Sequence, residues 1–187
     1  VYEDQGNPFR LFAGNCVIQP PEIRHKVLYA SDNIEVIEIG VPAEHITTID
    51  HNMELPTKEF NPEREFKGQK FVHNKAAESE WIEFRISGFN CRDTTIAENT
   101  KNVAGVQVVR PNGNAIKPTK HNCDILFNFV MEGEMTLTAS GQPPNVLNSG
   151  DAFVIPPDLL TEYSNVSKDL ELLEVSLPGK FKTYYDT

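Results

Sequence analysis

The chain has 187 residues, of which 39% are hydrophobic and 24% charged, and this balance excludes wholesale disorder. Its formal net charge of -10 repels phosphate groups, so we expect neither nucleic acid nor a membrane surface as the main partner. No apolar run approaches the roughly 20 residues that a bilayer-spanning helix needs. The three cysteines are odd in number and far apart, which favours reduced thiols and a cytoplasmic protein.

Runs of β-branched and aromatic residues follow one another along the chain, separated by 13 prolines and 11 glycines. Few windows show the apolar spacing of an amphipathic helix. Many short strands with frequent turns indicate an all-β sandwich or barrel. The predicted strands cover residues 16–19, 34–41, 81–86, 103–109, 125–130, 135–138, 152–155 and 170–177.

Two stretches between these strands have a different character. Residues 54–75 are polar and rich in charge without a clear period, which predicts a surface connector, and residues 76–80 suit one helical turn. Residues 131–135 predict a hairpin, because Gly133 adopts the positive φ of a tight turn without strain. The connector is therefore the best boundary between two structural units.

An internal repeat is the most informative feature of the sequence. Residues 14–42 align with residues 150–178 without a gap, at an offset of 136, and seven of the 29 positions are identical. Glu38 and Glu174 are one of the identical pairs. The repeat predicts one β unit used twice. Since strands like those before the second copy would fall upstream of Val1, we expect the first copy to pair across a dimer or to pack on the complete barrel.

The repeated block resembles the second motif of the cupin superfamily, which runs Gly, five residues, Pro, four residues, His, three residues, Asn. Gly14, Pro20 and His25 fit this spacing in the first copy. In the second copy Thr161 stands where the His belongs, and the residues that fit are Gly150, Pro156 and Asn165.

The hairpin at Gly133 resembles the end of the first cupin motif, in which two His and one Glu precede that Gly. Counting back from Gly133 places Leu126 at the Glu position, His121 at the second His and Thr119 at the first. The resemblance implies a double-stranded β-helix whose mouth holds a divalent metal on three His and one Glu.

The resemblance therefore implies different metal chemistry in the two copies. In the C-terminal copy only His121, among Thr119, His121, Leu126 and Thr161, is a good ligand, so we expect no metal there. In the N-terminal copy only His25 can be compared. We predict it as one ligand of iron, manganese, nickel or zinc in an intact first barrel.

Other polar residues receive simpler interpretations. The segment containing His45, Asp50, His51 and Glu54 matches no metal spacing, so we expect a solvated loop. The scattered cations Arg85, Arg92 and Arg110 are expected at the surface or at the barrel rim.

The sequence thus predicts an all-β fold with a cupin-like half-barrel over residues 1–53, a connector over 54–75 and a complete jelly-roll barrel over 76–187. The leading hypothesis is a homodimeric protein that binds a small organic ligand in the C-terminal barrel. Two alternatives stay open, a two-barrel metalloenzyme of dioxygenase or isomerase type and a purely structural dimerisation protein. No catalytic residue is identified, and the predicted pocket residues are Thr119, His121, Leu126, Asn128 and Thr161.

Overall fold

The computed structural model describes residues 1–186, and its regular secondary structure consists almost entirely of strands. A four-residue helix, α1 (Ile96–Asn99), and a 3-10 turn at Ala76–Glu78 are the helical elements of these residues. The strands are β1 (Cys16–Ile18), β2 (Glu65–Phe66), β3 (Gln69–Lys70), β4 (Val72–Asn74), β5 (Ile82–Glu83), β6 (Phe89–Asp93), β7 (Gly105–Pro111), β8 (Thr119–His121), β9 (Ile125–Glu132), β10 (Glu134–Ala139), β11 (Asn145–Asn148), β12 (Ala152–Ile155), β13 (Thr161–Ser164), β14 (Glu171–Leu177) and β15 (Thr183–Tyr185). Within residues 1–186 no helix has the length and apolarity to cross a membrane.

The chain divides into two compact units. The first comprises residues 1–11 and 19–71, and the second comprises residues 12–18 together with the chain from residue 72 onward. The second unit thus begins near the end of the predicted connector, and it also includes β1, which pairs with β4.

Two large antiparallel sheets form the main body of the second unit, beside the two-stranded sheet of β1 and β4. One has six strands in the order β12-β9-β14-β7-β6-β5, and the other has five in the order β11-β10-β13-β8-β15. Buried residues from both sheets meet in one core, which includes Phe89, Leu126, Met135, Tyr163 and Leu172. The all-β prediction is confirmed. Apolar side chains alternate along each strand and give every sheet an apolar face, which the other sheet covers.

Strand β14 is apolar on both of its faces, as expected for a central strand. Leu172 packs into the core between the two sheets, whereas Leu173 and Val175 pack with Val106 and Val108 on the opposite face. Because successive strand residues point to opposite sides, Glu174 lies on the same face as Leu172 and points between the sheets. A carboxylate is therefore placed inside the protein.

The predicted hairpin at Gly133 joins β9 to β10. Gly133 has a φ of +76°, and a Cβ atom there would lie 2.8 Å from the backbone of Leu170. Any side chain at this position would clash with the loop before β14 as well as strain the turn. The hairpin prediction is confirmed.

The first unit has little regular structure. Tyr2 packs on Phe71 with ring centroids 4.4 Å apart. Glu3 is 3% exposed and accepts hydrogen bonds from Arg24 and Arg64, and the bond from Arg24 is the main cause that lowers the pKa of Glu3 to about 2. These contacts replace a sheet as the main tertiary interactions around the first residues.

The predicted strand over residues 34–41 does not form. This stretch has no hydrogen-bonded ladder among the described residues, and Val36 is 76% exposed. Its apolar pattern matches the central strand β14, so it needs a neighbouring strand on each side, and no described strand takes either place. Residues 1–53 contain one strand, β1, so the described chain does not show the half-barrel predicted for them.

Candidate functional site

The five predicted pocket residues are all buried in the second unit. Their exposed fractions are 4% for Thr119, 2% for His121, 0% for Leu126, 1% for Asn128 and 6% for Thr161. Thr119 and Thr161 are direct cross-strand partners, and Asn128 is the partner of Glu174. The alternation of β8, β9 and β13 turns these side chains toward the space between the sheets.

The four residues at the metal-ligand positions of the cupin motifs do not suit a metal; they are Thr119, His121, Leu126 and Thr161. Leu126 packs in the core and has no lone pair to offer. The Thr161 hydroxyl donates to the Thr119 carbonyl oxygen at 3.3 Å, and the Cys123 backbone N–H donates to Nδ1 of His121 at 3.0 Å. One imidazole nitrogen is left, and this donor set does not fit a divalent cation.

His25 lies in the first unit and is exposed. Its ring stacks on Tyr2 with centroids 5.4 Å apart. Within residues 1–186 no group of three His, Cys, Asp or Glu side chains is arranged to hold a metal. The metal role of His25 stays a prediction. The segment with His45, Asp50, His51 and Glu54 is exposed and contains no strand, which confirms the loop interpretation.

Arg85 and Glu174 form a buried ion pair that the sequence analysis missed. The Arg85 side chain is 18% exposed and that of Glu174 is 4% exposed. Arg85 Nε donates to Glu174 Oε1 at 3.1 Å, Nη2 contacts Oε2, and Nη1 donates to Thr183 Oγ1 at 3.1 Å. The rings of Phe84 and Phe181 have their centroids 4.9 and 5.0 Å from the guanidinium carbon.

The expected surface or rim position is confirmed for Arg110, whose side chain is 54% exposed, and is wrong for Arg92, while Arg85 is 18% exposed and held in its ion pair. Arg92 is 3% exposed, and its Nη2 donates to the Gly14 carbonyl oxygen at 2.7 Å. A signal for Arg85 was present in the sequence, because Glu174 interrupts an otherwise apolar central strand. A buried carboxylate needs a cation or several donors nearby.

Two buried polar atoms of this interior make no hydrogen bond, Nδ2 of Asn128 and the hydroxyl of Tyr163. Nε2 of His121 has no well-aligned partner, but the backbone of Ile155 lies near enough to accept from it. Because Nδ1 of His121 accepts the Cys123 N–H, the neutral ring carries its proton on Nε2. Burial lowers the pKa of His121, and the nearby Arg85 charge lowers it further. Burial also raises the pKa of Tyr163, so both side chains are neutral near pH 7.

A small cavity lies beside the ion pair, with a volume of about 110 Å³. Glu174 and Phe181, which both contact Arg85, form part of its wall. The cavity also has charged groups of both signs at its edge. Other residues that line it are Asp93, Gln107, Ser176 and Lys180.

Residues 105–176, which span β7 to β14, match the family model of the cupin domain. This part of the chain is a cupin domain by its match, and the second unit that contains it is called the cupin domain below. The resemblance to the cupin superfamily and the jelly-roll fold that it implied are confirmed. No curated protein matches the chain by sequence.

Several solved structures are similar to part of this chain. KdgF from Halomonas sp. is 18% identical, with 56% of this chain and 93% of that chain covered and a TM-score of 0.48. Oxalate decarboxylase from Bacillus subtilis is 17% identical, with 58% of this chain and 30% of that chain covered and a TM-score of 0.48. A cupin-like protein from Thermotoga maritima is 19% identical, with 54% of this chain and 78% of that chain covered and a TM-score of 0.43.

The burial of His121 gives the cupin domain a specific pH dependence. A histidine whose pKa is lowered by folding binds a proton more readily when unfolded, so we expect stability to fall as the pH drops below the ordinary histidine pKa of about 6.5. Urea unfolding between pH 8 and 5.5 measures this loss. His121→Gln removes the titrating group, so this variant should lose less stability on acidification than the wild type. His51→Gln, which changes an exposed histidine, should keep the wild-type slope. Equal slopes for wild type and His121→Gln would contradict the assignment.

Proposed function

We propose that the cupin domain binds a small polar organic molecule between its two sheets, beside Arg85 and Glu174, without a metal in this barrel. The observation that carries the proposal is the pair of unpartnered polar atoms, Nδ2 of Asn128 and the hydroxyl of Tyr163. Leaving a buried polar group unsatisfied costs about 1–3 kcal/mol. Two such groups in one interior favour a site whose partners are supplied by a ligand.

The chemistry of the interior agrees with binding by hydrogen bonds. His121 and Tyr163 are neutral, and the Arg85 charge is balanced by Glu174. The thiol of Cys123 donates to backbone carbonyl oxygens, and burial raises its pKa, so it is not poised as a nucleophile. These groups form hydrogen bonds with the polar atoms of a ligand, and the apolar side chains around them exclude water.

Asn128→Leu tests the proposal, because it replaces the unpartnered amide by an apolar side chain of similar size. We expect ligand-observed NMR with small carboxylates, phenols, amides and sugars to detect binding to the wild type. The variant should lose that binding and unfold with a free energy equal to the wild-type value or about 1 kcal/mol higher.

Asn114→Leu is the matched control, since Asn114 is exposed in the turn after β7. It should bind as the wild type does. The proposal fails if no compound in the panel binds the wild type, or if Asn128→Leu binds the same compounds with unchanged affinity.

A further inference from the structure

We infer that residues 181–186 form a strap that closes one side of the barrel interior and detaches to admit a ligand. The inference rests on the proposed function, because it names the route by which a small molecule reaches the site. Asn128 is 1% exposed and Tyr163 is 4% exposed, so no molecule can bind their polar atoms while every element stays in place. One part of the wall has to move.

The strap joins the two large sheets along one side. It contains β15, which is the last strand of the five-stranded sheet. The Tyr185 hydroxyl donates to the Arg85 carbonyl oxygen at 2.9 Å and accepts from the Ser87 N–H at 3.0 Å. Thr183 Oγ1 accepts from Nη1 of Arg85 at 3.1 Å. Since residues 85–87 connect β5 to β6 in the six-stranded sheet, the strap covers the gap between the two sheets.

Phe181 places the strap against the interior. Its ring meets that of His121 edge to face at 5.9 Å between centroids, and it forms part of the wall of the cavity of about 110 Å³. Glu174, the cross-strand partner of Asn128, forms another part of this wall. The cavity holds about four water-sized groups, given about 30 Å³ for each. Detachment of the strap would open this space to solvent beside Asn128.

The strap is held less firmly than the strands around it. Among residues 1–186, β15 pairs with β8 alone, over three residues, whereas β14 is paired on both sides. Tyr184 and Tyr185 are 41% and 43% exposed, and Phe181 supplies the apolar packing of the strap on the core. Segments with few buried apolar contacts and with exposed hydrogen bonds open at the lowest cost in free energy. The strap is therefore the part of this wall that opens first.

The chain is fixed immediately before the strap. The Gly179 N–H donates to the Asn102 carbonyl oxygen at 3.1 Å, and the Lys180 N–H donates to Asn102 Oδ1 at 2.6 Å. A Cβ atom at Gly179 would lie 2.7 Å from the Ala104 carbonyl oxygen, so this residue packs closely on that backbone. The strap would swing away from residue 180 while these contacts stay.

Native-state hydrogen exchange of the full chain tests whether the strap opens as a unit. Three amides bond across its boundary, and they belong to Ser87, Asn122 and Lys182. Because one opening frees all three, we expect them to have similar protection factors, at least about a hundredfold lower than that of Leu173 in β14. Protection of any of the three equal to that of Leu173 overturns the inference.

A disulfide that ties the strap to β8 supplies the second test. Lys120 and Tyr184 are cross-strand partners with exposed side chains, and the Cα atoms of paired residues lie about 4.5–5.5 Å apart, which suits a disulfide. In Lys120→Cys/Tyr184→Cys, oxidation should raise the protection of the three amides at least about tenfold, and reduction should restore it. Glu134→Cys/Asn148→Cys, which ties the edge strand β11 to β10 in the same sheet, should leave them unchanged.

The same variants show whether the strap controls entry. Acetate, acetamide, phenol and glucose are the probes, one from each class of compound in the binding panel. For each probe that binds the wild type, NMR exchange measurements should give association and dissociation rates at least about tenfold slower in the oxidised Lys120→Cys/Tyr184→Cys variant. Reduction should restore the wild-type rates, and the disulfide between β10 and β11 should not change them. The dissociation constant should change little, because the disulfide holds the closed state that is already populated.

The outcomes separate this inference from the proposed function. If a probe binds and its rates are equal in the oxidised and reduced variant, the strap is not the entry route and the proposed function stands. If no probe binds the wild type, the proposed function fails and the inference fails with it. Should the disulfide variant not fold, Phe181→Ala, which removes the apolar anchor of the strap, decides the matter. It should lower the three protection factors and speed probe association at least about threefold, and unchanged values overturn the inference.

Discussion

Arg85→Met is expected to lower the free energy of unfolding by about 3–5 kcal/mol, because it leaves the Glu174 carboxylate buried without its partner. Glu174 is 4% exposed, so solvent cannot replace the guanidinium. Denaturant unfolding followed by the fluorescence of Trp81, the single tryptophan of the chain, measures the loss.

The double variant distinguishes the ion pair from the packing of the arginine side chain. Replacing both partners, with Glu174→Leu added to Arg85→Met, removes the stranded charge and should restore stability to within about 1 kcal/mol of the wild type. Arg110→Met serves as a control at the pair with Glu171, in which the arginine side chain is 54% exposed and the expected cost is about 0–1 kcal/mol. An Arg85→Met variant no less stable than Arg110→Met would show that the buried pair contributes little.

Phe89→Ala is expected to destabilise the cupin domain by about 3–5 kcal/mol, through lost burial and the cavity it leaves. Phe89 is 0% exposed and meets Phe84 and Tyr163 edge to face, at centroid distances of 6.5 and 6.0 Å. Since its neighbours come from both sheets, the loss should also weaken the packing of one sheet on the other. Near-UV circular dichroism and denaturant unfolding together report both effects.

Phe60→Ala is the control for Phe89→Ala, because the same side chain is 70% exposed at that position. It should change the unfolding of the cupin domain by less than about 0.5 kcal/mol. A similar loss in the two variants would mean that Phe89 does not belong to a tightly packed core.

The strands that the sequence predicted are those rich in aliphatic residues. The predicted span 152–155 is β12, and the span 170–177 contains β14. Strands β8 and β13 were missed, because Thr-Lys-His and Thr-Glu-Tyr-Ser have no aliphatic run. Their strand geometry comes from pairing with neighbours, which local sequence does not report. Residues 34–41 show the opposite case. Their sequence has a strong strand pattern, but no neighbouring strand pairs with them, so no sheet forms.

The site was predictable only where a motif fixed the spacing. The positions counted back from Gly133, His121 and Leu126, are both buried, and their role in a site stays a prediction. The burial of Arg85 was not predicted, because its partner Glu174 is 89 residues away and no local sequence pattern distinguishes a buried arginine from an exposed one. Long-range pairing of charges depends on the register of β14 against its neighbours, and the sequence pattern alone does not define that register.

The modest volume beside Glu174 also sets a ceiling on affinity. The very best tiny ligands reach about -1.5 kcal/mol per non-hydrogen atom, so a molecule of about four such atoms gains at most about -6 kcal/mol. That free energy corresponds to a dissociation constant of some tens of micromolar, roughly 40 µM. A molecule that filled this space would therefore be held weakly, and its occupancy would follow its concentration over the micromolar to millimolar range.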